Sequence, residues 1–373
     1  MGLEGFATAE GTARFRERFA GSAAGGHFRG AQGLTLSSIG IGTYLGNADE
    51  ETDRSYSDAV ARAVELGSNV MDTAANYRFQ RSERSVGEAL RRLTSTDFAR
   101  EELLVCTKGG YVPFDSRPPR GQADVRAYVE ETFVKTGVIE LSDIVAGSHC
   151  MTPRYLSHQL AQSLRNMGLE TVDVYYVHNP ETQLQVVDRD EFERRLRAAF
   201  EQLERERAEG RLRFYGAATW NGFRLQEGAR GHHSVERMVE LAREVGGDAH
   251  GFRFVQLPFN LAMPEPLLNE NQPYGGKQVS LLEAAQGLGV TVVASASILQ
   301  GKVAKDLPEH VREPLGSLPT DAQTAIQFTR STPGVTTALV GMSRREHVEE
   351  NMQLARVPVA STGDYSRLFT GDE

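Results

Sequence analysis

The stretch from Val70 to Leu90 reads VMDTAANYRFQRSERSVGEAL, and the rest of the chain is organised around it. A short β-type run delivers Asp72 at its end, a loop carries Tyr77, and an apolar pattern of helical period begins at Ser82. The pattern predicts a strand, a functional loop and a helix. Because Asp72 and Tyr77 stand on either side of the strand end, both side chains can face one pocket.

The next apolar run, Leu103 to Thr107, leads directly to Lys108 in the segment LLVCTKGG. A carboxylate beside a phenol does little chemistry without a cation, and Lys108 can supply that cation from the neighbouring strand end. An ammonium group lowers the pKa of a nearby phenol, and a carboxylate holds the ammonium group in place. The sequence therefore predicts a cluster of Asp72, Tyr77 and Lys108.

From Leu34 onward, short β-branched runs alternate with amphipathic helical stretches, which is typical of βα units and a parallel sheet. Eight strands are predicted to end near Thr43, Thr73, Thr107, His178, Thr219, Asn260, Ser297 and Met342. Eight helices are predicted at 55–66, 82–93, 153–167, 190–209, 234–245, 279–288, 321–330 and 344–354. This α/β pattern indicates a single (β/α)8 TIM barrel, with its site at the carboxyl ends of the strands.

A doubly wound sheet is the rival architecture, and it is disfavoured because an acidic loop, rather than a helix start, follows the GxG of IGIGTYLG. We expect residues 1–30 to form a flexible N-terminal extension, 31–360 the barrel and 361–373 a C-terminal tail. Long loops follow the third and sixth strands, at 111–151 and 262–276. Such loops commonly wall a substrate pocket.

Composition excludes several classes of function. Fifty acidic against 41 basic residues give a net charge of −9, which argues against binding to nucleic acid. No apolar run approaches the roughly 20 residues of a membrane-spanning helix. Cys106 and Cys150 show neither disulfide nor zinc spacing, so we expect a cytoplasmic protein without a metal site.

Three histidines lie outside the predicted site. His149 is expected to be structural or substrate-facing, and His232 and His233 to lie in an exposed loop. A homo-oligomer is compatible with the sequence.

The segments DTAANY, SERSVGEAL, CTKGG and VDVYYVHNP together resemble the aldo-keto reductase family over about residues 34 to 357. The resemblance implies a catalytic set of Tyr77, Lys108, Asp72 and His178. In this interpretation Tyr77 exchanges a proton with the substrate, and His178 orients the carbonyl oxygen. The family's hydride donor, NADP(H), is the implied cofactor.

The resemblance also implies cofactor contacts around the barrel. Gln256 matches the residue that holds the carboxamide, Ser343 and Arg344 would face the 2′-phosphate, and Glu350 and Asn351 would face the adenine. Three positions depart from the family: Ala218 and Thr219 replace a Ser-Asn pair, and Ser295 replaces a stacking aromatic residue, whose place Trp220, Tyr44 or a ring from the long loops can take. The remaining predicted contacts are Gly42, Thr43, Tyr44, Ser297, Ile298, Gln300, Lys302 and Gly341.

Three functions follow from this interpretation. The first is an NADP-dependent aldo-keto reductase or alcohol dehydrogenase that acts on a small-molecule carbonyl or alcohol, such as a sugar or a specialised metabolite. The second is an epimerase or dehydratase on the same scaffold, in which the nicotinamide is recycled internally. The third is a nicotinamide-binding regulatory subunit with little turnover, against which the intact catalytic set counts.

Overall fold

The strands and helices described here belong to a computed structural model that describes residues 2–369. In chain order the strands are β1 (Phe28–Ala31), β2 (Leu34–Ser37), β3 (Ile39–Gly42), β4 (Val70–Asp72), β5 (Leu104–Gly109), β6 (Val172–His178), β7 (Leu212–Ala218), β8 (Phe252–Pro258), β9 (Gln272–Tyr274), β10 (Lys277–Val279), β11 (Thr291–Ser295) and β12 (Val335–Gly341). Within the described residues, β3 to β8, β11 and β12 pair in parallel and close into an eight-stranded barrel. The predicted (β/α)8 fold is confirmed.

Helices surround the barrel and connect its strands. They are α1 (Ala9–Arg18), α2 (Glu50–Glu65), α3 (Arg81–Thr94), α4 (Gln122–Val129), α5 (Pro153–Met167), α6 (Arg189–Ala208), α7 (Val235–Gly246), α8 (Glu265–Leu268), α9 (Leu281–Gly287), α10 (Glu309–Arg312), α11 (Asp321–Ser331), α12 (Arg345–Asn351) and α13 (Thr362–Ser366). Short 3-10 segments lie at Arg100–Glu102, Leu141–Asp143, Pro180–Gln185, Leu299–Gly301, Glu313–Leu315 and Met352–Arg356, and a π-helical turn at Glu130–Val134.

The barrel strands are buried on both faces, as parallel strands under helices must be. All seven residues of β6, VDVYYVH, are buried. The eight predicted strand ends lie within two residues of the observed ends. Helix α2 begins five residues before its predicted start because the Asp49 carboxylate caps it, accepting from the Thr52 amide at 2.8 Å.

Strand register brings the predicted catalytic side chains to one end of the barrel. Asp72 lies opposite Gly42 on one side and opposite Cys106 on the other. Cys106 stands two residues before Lys108 on the same strand. His178 lies opposite Ala218, which in turn lies opposite Gln256. These positions are at the carboxyl ends of their strands, where a (β/α)8 barrel carries its site.

The N-terminal segment, which the sequence predicts as a flexible extension, packs against the barrel in the structure. Phe15 on α1 is fully buried, and Gly11 lies so close to the Glu101 carbonyl that a Cβ would come within 2.2 Å of its oxygen. The Ala7 amide donates to the buried Asp173 carboxylate at 2.6 Å. Leu34 and Leu36 of the β1–β2 hairpin join the apolar core inside the barrel. The segment therefore closes the amino-terminal end of the barrel; Met1 lies outside the described residues.

The connections also follow the prediction in outline. The long segment 111–151 contains α4 and the π-helical turn, and 262–276 contains α8 and β9. Helix α6 buries its apolar residues Phe192, Leu196, Ala199, Phe200 and Leu203, together with the charged Glu206. The predicted tail begins with α13, which docks through Tyr365, 5% exposed; residues 370–373 lie outside the described part. None of the helices described is long and apolar enough to cross a membrane.

Candidate active site

A buried ion pair forms the base of the site. The Lys108 ammonium group donates to Asp72 Oδ1 at 2.5 Å and to the Thr73 carbonyl at 2.8 Å. The Gln256 amide nitrogen donates to the other carboxylate oxygen of Asp72 at 2.7 Å. The Lys108 and Asp72 side chains are only 1% and 5% exposed. Because both carboxylate oxygens have donors, the burial of this pair is compensated.

Tyr77 lies above the ion pair, and the turn that follows it has an unusual backbone conformation. The Lys108 ammonium group is 4.8 Å from the centroid of the Tyr77 ring. The three residues that follow, Arg78, Phe79 and Gln80, all have left-handed φ angles of 47°, 58° and 68°. Left-handed backbone in non-glycine residues is costly and persists only where the surroundings hold it in place.

Side chains on both sides hold this turn. Arg78 pairs with Asp53 at 2.5 Å and donates to the Asn47 carbonyl at 2.8 Å. The Gln80 amide donates to the Phe114 carbonyl at 3.2 Å and accepts from Asn166 at 3.0 Å. The loop that presents Tyr77 is thus fixed by hydrogen bonds.

His178 faces Tyr77 across the site. Their ring centroids are 6.0 Å apart, and Tyr111 stands 5.1 Å from the His178 ring on the other side. Burial lowers the pKa of His178 well below 6.5, and the positive charge of Lys108 adds to this effect. The imidazole is therefore neutral at physiological pH and can donate one N–H hydrogen bond.

A second buried histidine supports the first from the long loop before α5. His149 Nε2 lies 2.7 Å from the His178 carbonyl oxygen, and Gln183 Nε2 lies 2.8 Å from His149 Nδ1. These contacts fix the tautomer, because Nδ1 must accept from the amide and Nε2 must donate to the carbonyl. A Cβ on Gly110 would approach the His178 oxygen to 2.7 Å, so only glycine fits there.

The ionisation of the cluster reflects competition between burial and charge. Burial raises the pKa of Tyr77, and the Lys108 ammonium group opposes that rise without cancelling it. We expected Lys108 to lower the pKa of the phenol; the net shift is upward because burial outweighs the charge. Burial alone would lower the pKa of Lys108, but the interactions with the Asp72 carboxylate and with Tyr77 together outweigh burial and raise it. Lys108 is therefore a stable cation.

A cleft of about 400 Å³ opens above these residues. Most predicted site residues line it, namely Gly42, Thr43, Tyr44, Asp72, Tyr77, His178, Thr219, Gln256, Ser295, Ser297, Ile298, Gln300, Gly341 and Ser343. Lys108 lies beneath the cleft, bound to Asp72. The Thr219 hydroxyl is buried and has no hydrogen-bond partner within residues 2–369.

Four predicted cofactor contacts are not part of the cleft wall. Lys302 and Arg344 are exposed, with Arg344 at the position that caps α12. The Glu350 carboxylate accepts a hydrogen bond from Thr320 at 2.8 Å, and Asn351 is 4% exposed.

A comparison with family models shows the family of the chain. The model of the Aldo/keto reductase family matches residues 38–368. The chain belongs to the aldo/keto reductase family. The predicted oxidoreductase class, acting on carbonyl or alcohol groups, is thereby confirmed.

Individual relatives of this aldo/keto reductase are distant. It is 25% identical to L-glyceraldehyde 3-phosphate reductase of Escherichia coli (strain K12), over 91% of the chain and 90% of the relative. It is 24% identical to a putative voltage-gated potassium channel subunit beta of Schizosaccharomyces pombe, over 87% and 86%.

Solved structures share the fold of the aldo/keto reductase at still lower identity. The holo form of AKR11C1 from Bacillus halodurans superposes with a TM-score of 0.61 at 19% identity, over 92% of this chain and 95% of that one. A Klebsiella pneumoniae aldo/keto reductase in complex with NADP and acetate gives 0.58 at 17%, over 91% and 93%.

Several cleft residues of this aldo/keto reductase escaped the sequence-based prediction. Asn179, Leu45, Tyr56 and His347 line the cleft, and Trp220, considered only as a replacement ring, also lines it. Asn179 directly follows His178, so its place at a strand end was the available signal. His347 stands four residues after Ser343, about one helical turn, but nothing in its type marked it.

The interpretation of two further histidines was wrong. His232 and His233 are 6% and 1% exposed rather than solvent-facing. The His233 ring stacks on Phe192 at a centroid distance of 5.1 Å. Their segment is covered because the β9–β10 region folds over it: His232 Nε2 lies 2.8 Å from the Asn271 carbonyl oxygen.

Proposed function

We propose that this protein is an NADP(H)-dependent oxidoreductase that interconverts an uncharged carbonyl compound and its alcohol, with Tyr77 as proton donor and acceptor. The observation that carries the proposal is the buried Lys108–Asp72 pair beneath Tyr77, opposite a neutral His178. A metabolite or a free sugar fits this description.

The cleft residues fit a nicotinamide cofactor. The unpartnered Thr219 hydroxyl is a buried polar atom at the position that the resemblance assigns to the carboxamide. The Gln256 nitrogen is committed to Asp72, so Thr219 becomes the more available donor. Ser295 and Gly341 leave room along the wall, and Ser343 with Arg344 would hold the 2′-phosphate. When bound, the cofactor supplies or accepts the hydride.

The chain's own residues handle the proton. Because burial raises the pKa of Tyr77 above its ordinary value near 10, the phenol is protonated at neutral pH and can donate to the carbonyl oxygen. The neutral His178 ring donates a hydrogen bond that orients that oxygen. Lys108 stabilises the phenolate that remains after transfer, and Asp72 keeps Lys108 in place.

The charge of the cleft supports an uncharged substrate. Among the described residues that line it, none is a lysine or arginine. Lys108, the cation beneath Tyr77, is already paired with Asp72, so a phosphate or carboxylate beside Tyr77 would not meet the available cation that such groups normally meet in a binding site. The E. coli relative is named for a phosphorylated aldehyde, and this cleft favours the unphosphorylated form.

The test is NADPH consumption by the pure protein with glyceraldehyde and with glyceraldehyde 3-phosphate, a pair that differs only in the phosphate. We expect kcat/KM to be at least about tenfold higher for glyceraldehyde. Tyr77→Phe should lower the rate by roughly 10²- to 10⁴-fold, the usual contribution of general acid catalysis, with NADPH affinity within about twofold of wild type.

The outcomes separate the rival functions. A Tyr77→Phe variant that keeps most of the rate would contradict the proton-donor role. Conversion of a substrate without net NADPH loss would indicate internal recycling, as in an epimerase or dehydratase. Tight NADPH binding without conversion of any substrate would favour the regulatory subunit.

A further inference from the structure

A buried carboxylate holds the loop that follows strand β7. Glu181 lies in the 3-10 segment Pro180–Gln185, three residues after His178, and its side chain is 13% exposed. Its Oε1 accepts from the main-chain amides of Trp220 and Asn221 at 2.8 Å and 3.1 Å. One oxygen thus fixes two consecutive peptide groups at the edge of the cleft.

The second oxygen of Glu181 is buried and has no hydrogen-bond partner within residues 2–369. It lies 3.8 Å from His233 Nε2, and the His233 ring is held between Phe192, stacked at 5.1 Å, and Phe223, edge-on at 6.0 Å. The His233 amide also donates to the Gly222 carbonyl at 2.7 Å. On this side the Glu181 carboxylate therefore lies next to a buried ring cluster rather than solvent.

Burial also determines the charge of the His233 ring. It lowers the pKa of His233 to about 3, so the ring is neutral and does not form an ion pair with Glu181. The main-chain amides of residues 220 and 221 are therefore the donors that compensate the buried carboxylate. Burial raises the pKa of Glu181, and the hydrogen bonds from these main-chain amides oppose that rise because they favour the charged carboxylate.

The residue held in this way is the chain's single tryptophan. Trp220 lines the cleft and is 42% exposed. It stands two residues beyond Ala218, whose strand partner is His178. The Trp220 carbonyl also accepts from Arg224 at 3.3 Å, so its main chain is held from both sides.

We propose that Glu181 is a positioning residue that fixes Trp220 as a specificity-determining wall of the substrate pocket, selecting carbonyl compounds with an aromatic or apolar group. This inference rests on the function proposed above, because it assigns the substrate side of the same cleft. Carbonyl compounds that carry an aromatic ring pack on the indole face, while very small aldehydes do not reach it.

The experiment compares Glu181→Ala with Glu181→Gln. Glutamine keeps one acceptor oxygen for the two amides, whereas alanine removes both. The matched control is Glu204→Gln, because Glu204 also accepts from a main-chain amide, that of Gly251 at 2.6 Å, beside the start of β8 and away from the cleft.

Two measurements report on the loop and on the pocket. Acrylamide quenching of tryptophan fluorescence reports on Trp220 alone. We expect the quenching constant of Glu181→Ala to rise about twofold, and its KM for benzaldehyde to rise about tenfold, with kcat and the NADPH dissociation constant within about twofold of wild type. Glu181→Gln should restore most of both properties, and Glu204→Gln should resemble wild type.

Several results would overturn the proposal. Unchanged quenching in Glu181→Ala would show that the carboxylate does not hold the tryptophan. An equal KM increase for benzaldehyde and methylglyoxal, or a loss of NADPH affinity instead, would remove the specificity role. If Glu181→Ala does not fold, Trp220→Ala tests the wall directly, and an unchanged ratio of the two kcat/KM values would contradict it. A wild-type protein without turnover would defeat the proposed function, while the quenching comparison would still test the positioning role.

Discussion

At the residue scale, the proposed chemistry depends on one buried cation and the groups that surround it. Lys108 can stabilise a phenolate only while Asp72 fixes it, and Asp72 in turn depends on a hydrogen bond from Gln256, which comes from the far side of the barrel. Tyr77 stays protonated at neutral pH because burial raises its pKa. This balance suits carbonyl reduction at neutral pH and alcohol oxidation in more alkaline solution.

Arg344 provides the residue-scale prediction for cofactor choice. It is exposed at the start of α12, beside the cleft residue Ser343, and it would meet only the 2′-phosphate of NADPH. Arg344→Ala should weaken NADPH about tenfold, the value of one charge-assisted contact, and should leave NADH nearly unchanged. Binding is measured by quenching of Trp220 fluorescence.

The neighbouring arginine is the control for this prediction. Arg345 is exposed and bonds to Glu349 one turn along the same helix, so Arg345→Ala changes the charge by the same amount without removing the proposed contact. Equal losses of NADPH affinity in the two variants would mean that the loss comes from the change in net charge rather than from a contact between Arg344 and the 2′-phosphate. Equal losses of NADPH and NADH in Arg344→Ala would remove the phosphate assignment.

Individual site residues differed in how far the sequence could predict them. Asp72, Lys108 and His178 stand at strand ends in recognisable segments, so their convergence followed from the barrel pattern. The bond from Gln256 to Asp72 joins residues 184 positions apart and depends on how two side chains rotate, which no local pattern encodes. The burial of His232 and His233 likewise depends on a distant segment that covers them.

At the element scale, the long loop after β5 acts as a brace for the strand that carries His178. Its residue His149 bonds the His178 carbonyl, Gln183 bonds His149, and Arg195 on α6 donates to the Gln183 oxygen at 2.6 Å. This chain of hydrogen bonds links a helix on the outside of the barrel to the catalytic strand end. Small displacements of a catalytic group are costly to rate.

His149→Leu tests this brace. The substitution leaves the His178 carbonyl and the Gln183 amide without their partner, so we expect a stability loss of about 2–4 kcal/mol and a fall in kcat of roughly tenfold or more, with little change in KM. The measurements are urea unfolding and steady-state kinetics on samples whose folding is verified by circular dichroism.

A variant of another buried histidine, His250, distinguishes a loss of stability from a change in the position of His178. His250 is 2% exposed and precedes β8 at the opposite end of the barrel from the cleft. His250→Leu should alter stability without lowering kcat of the folded protein. If His149→Leu keeps a normal kcat, or if both variants lose kcat to the same extent, the brace has no specific effect on His178.

The bounds of the helices were easier to predict from the sequence than their packing against the barrel. Helix α5 was predicted at its observed bounds because Pro153 begins it and Gly168, with φ of 67°, ends it. Helix α1 buries few side chains, among them Phe15, so its apolar pattern was too sparse to indicate contact with the barrel. Its attachment depends on a close main-chain approach at Gly11, which hydrophobic periodicity does not report.

At the scale of the whole molecule, buried neutral histidines make the fold sensitive to acid. Burial lowers the pKa of His27 and of His149 to about 4, and that of His233 to about 3. An unfolded histidine has a pKa near 6.5, so between about pH 6.5 and 4 the unfolded chain binds more protons than the folded protein does. The free energy of unfolding therefore falls as the pH falls through this window.

His27→Gln tests this origin of acid sensitivity. His27 Nε2 lies 2.9 Å from the Gly67 carbonyl oxygen, beneath the N-terminal segment and far from the cleft. Each histidine with a folded pKa of about 4 should lower the free energy of unfolding by about 2 kcal/mol between pH 7 and pH 5. In His27→Gln the difference between urea unfolding free energies at these two pH values should shrink by about that amount, whatever the substitution does at pH 7.

His310→Gln, at an exposed histidine on α10, is the control and should leave the difference unchanged. A full-sized difference in His27→Gln would mean that His27 does not contribute to the acid response, which would then come from other buried histidines or from paired carboxylates, whose protonation also lowers stability as the pH falls.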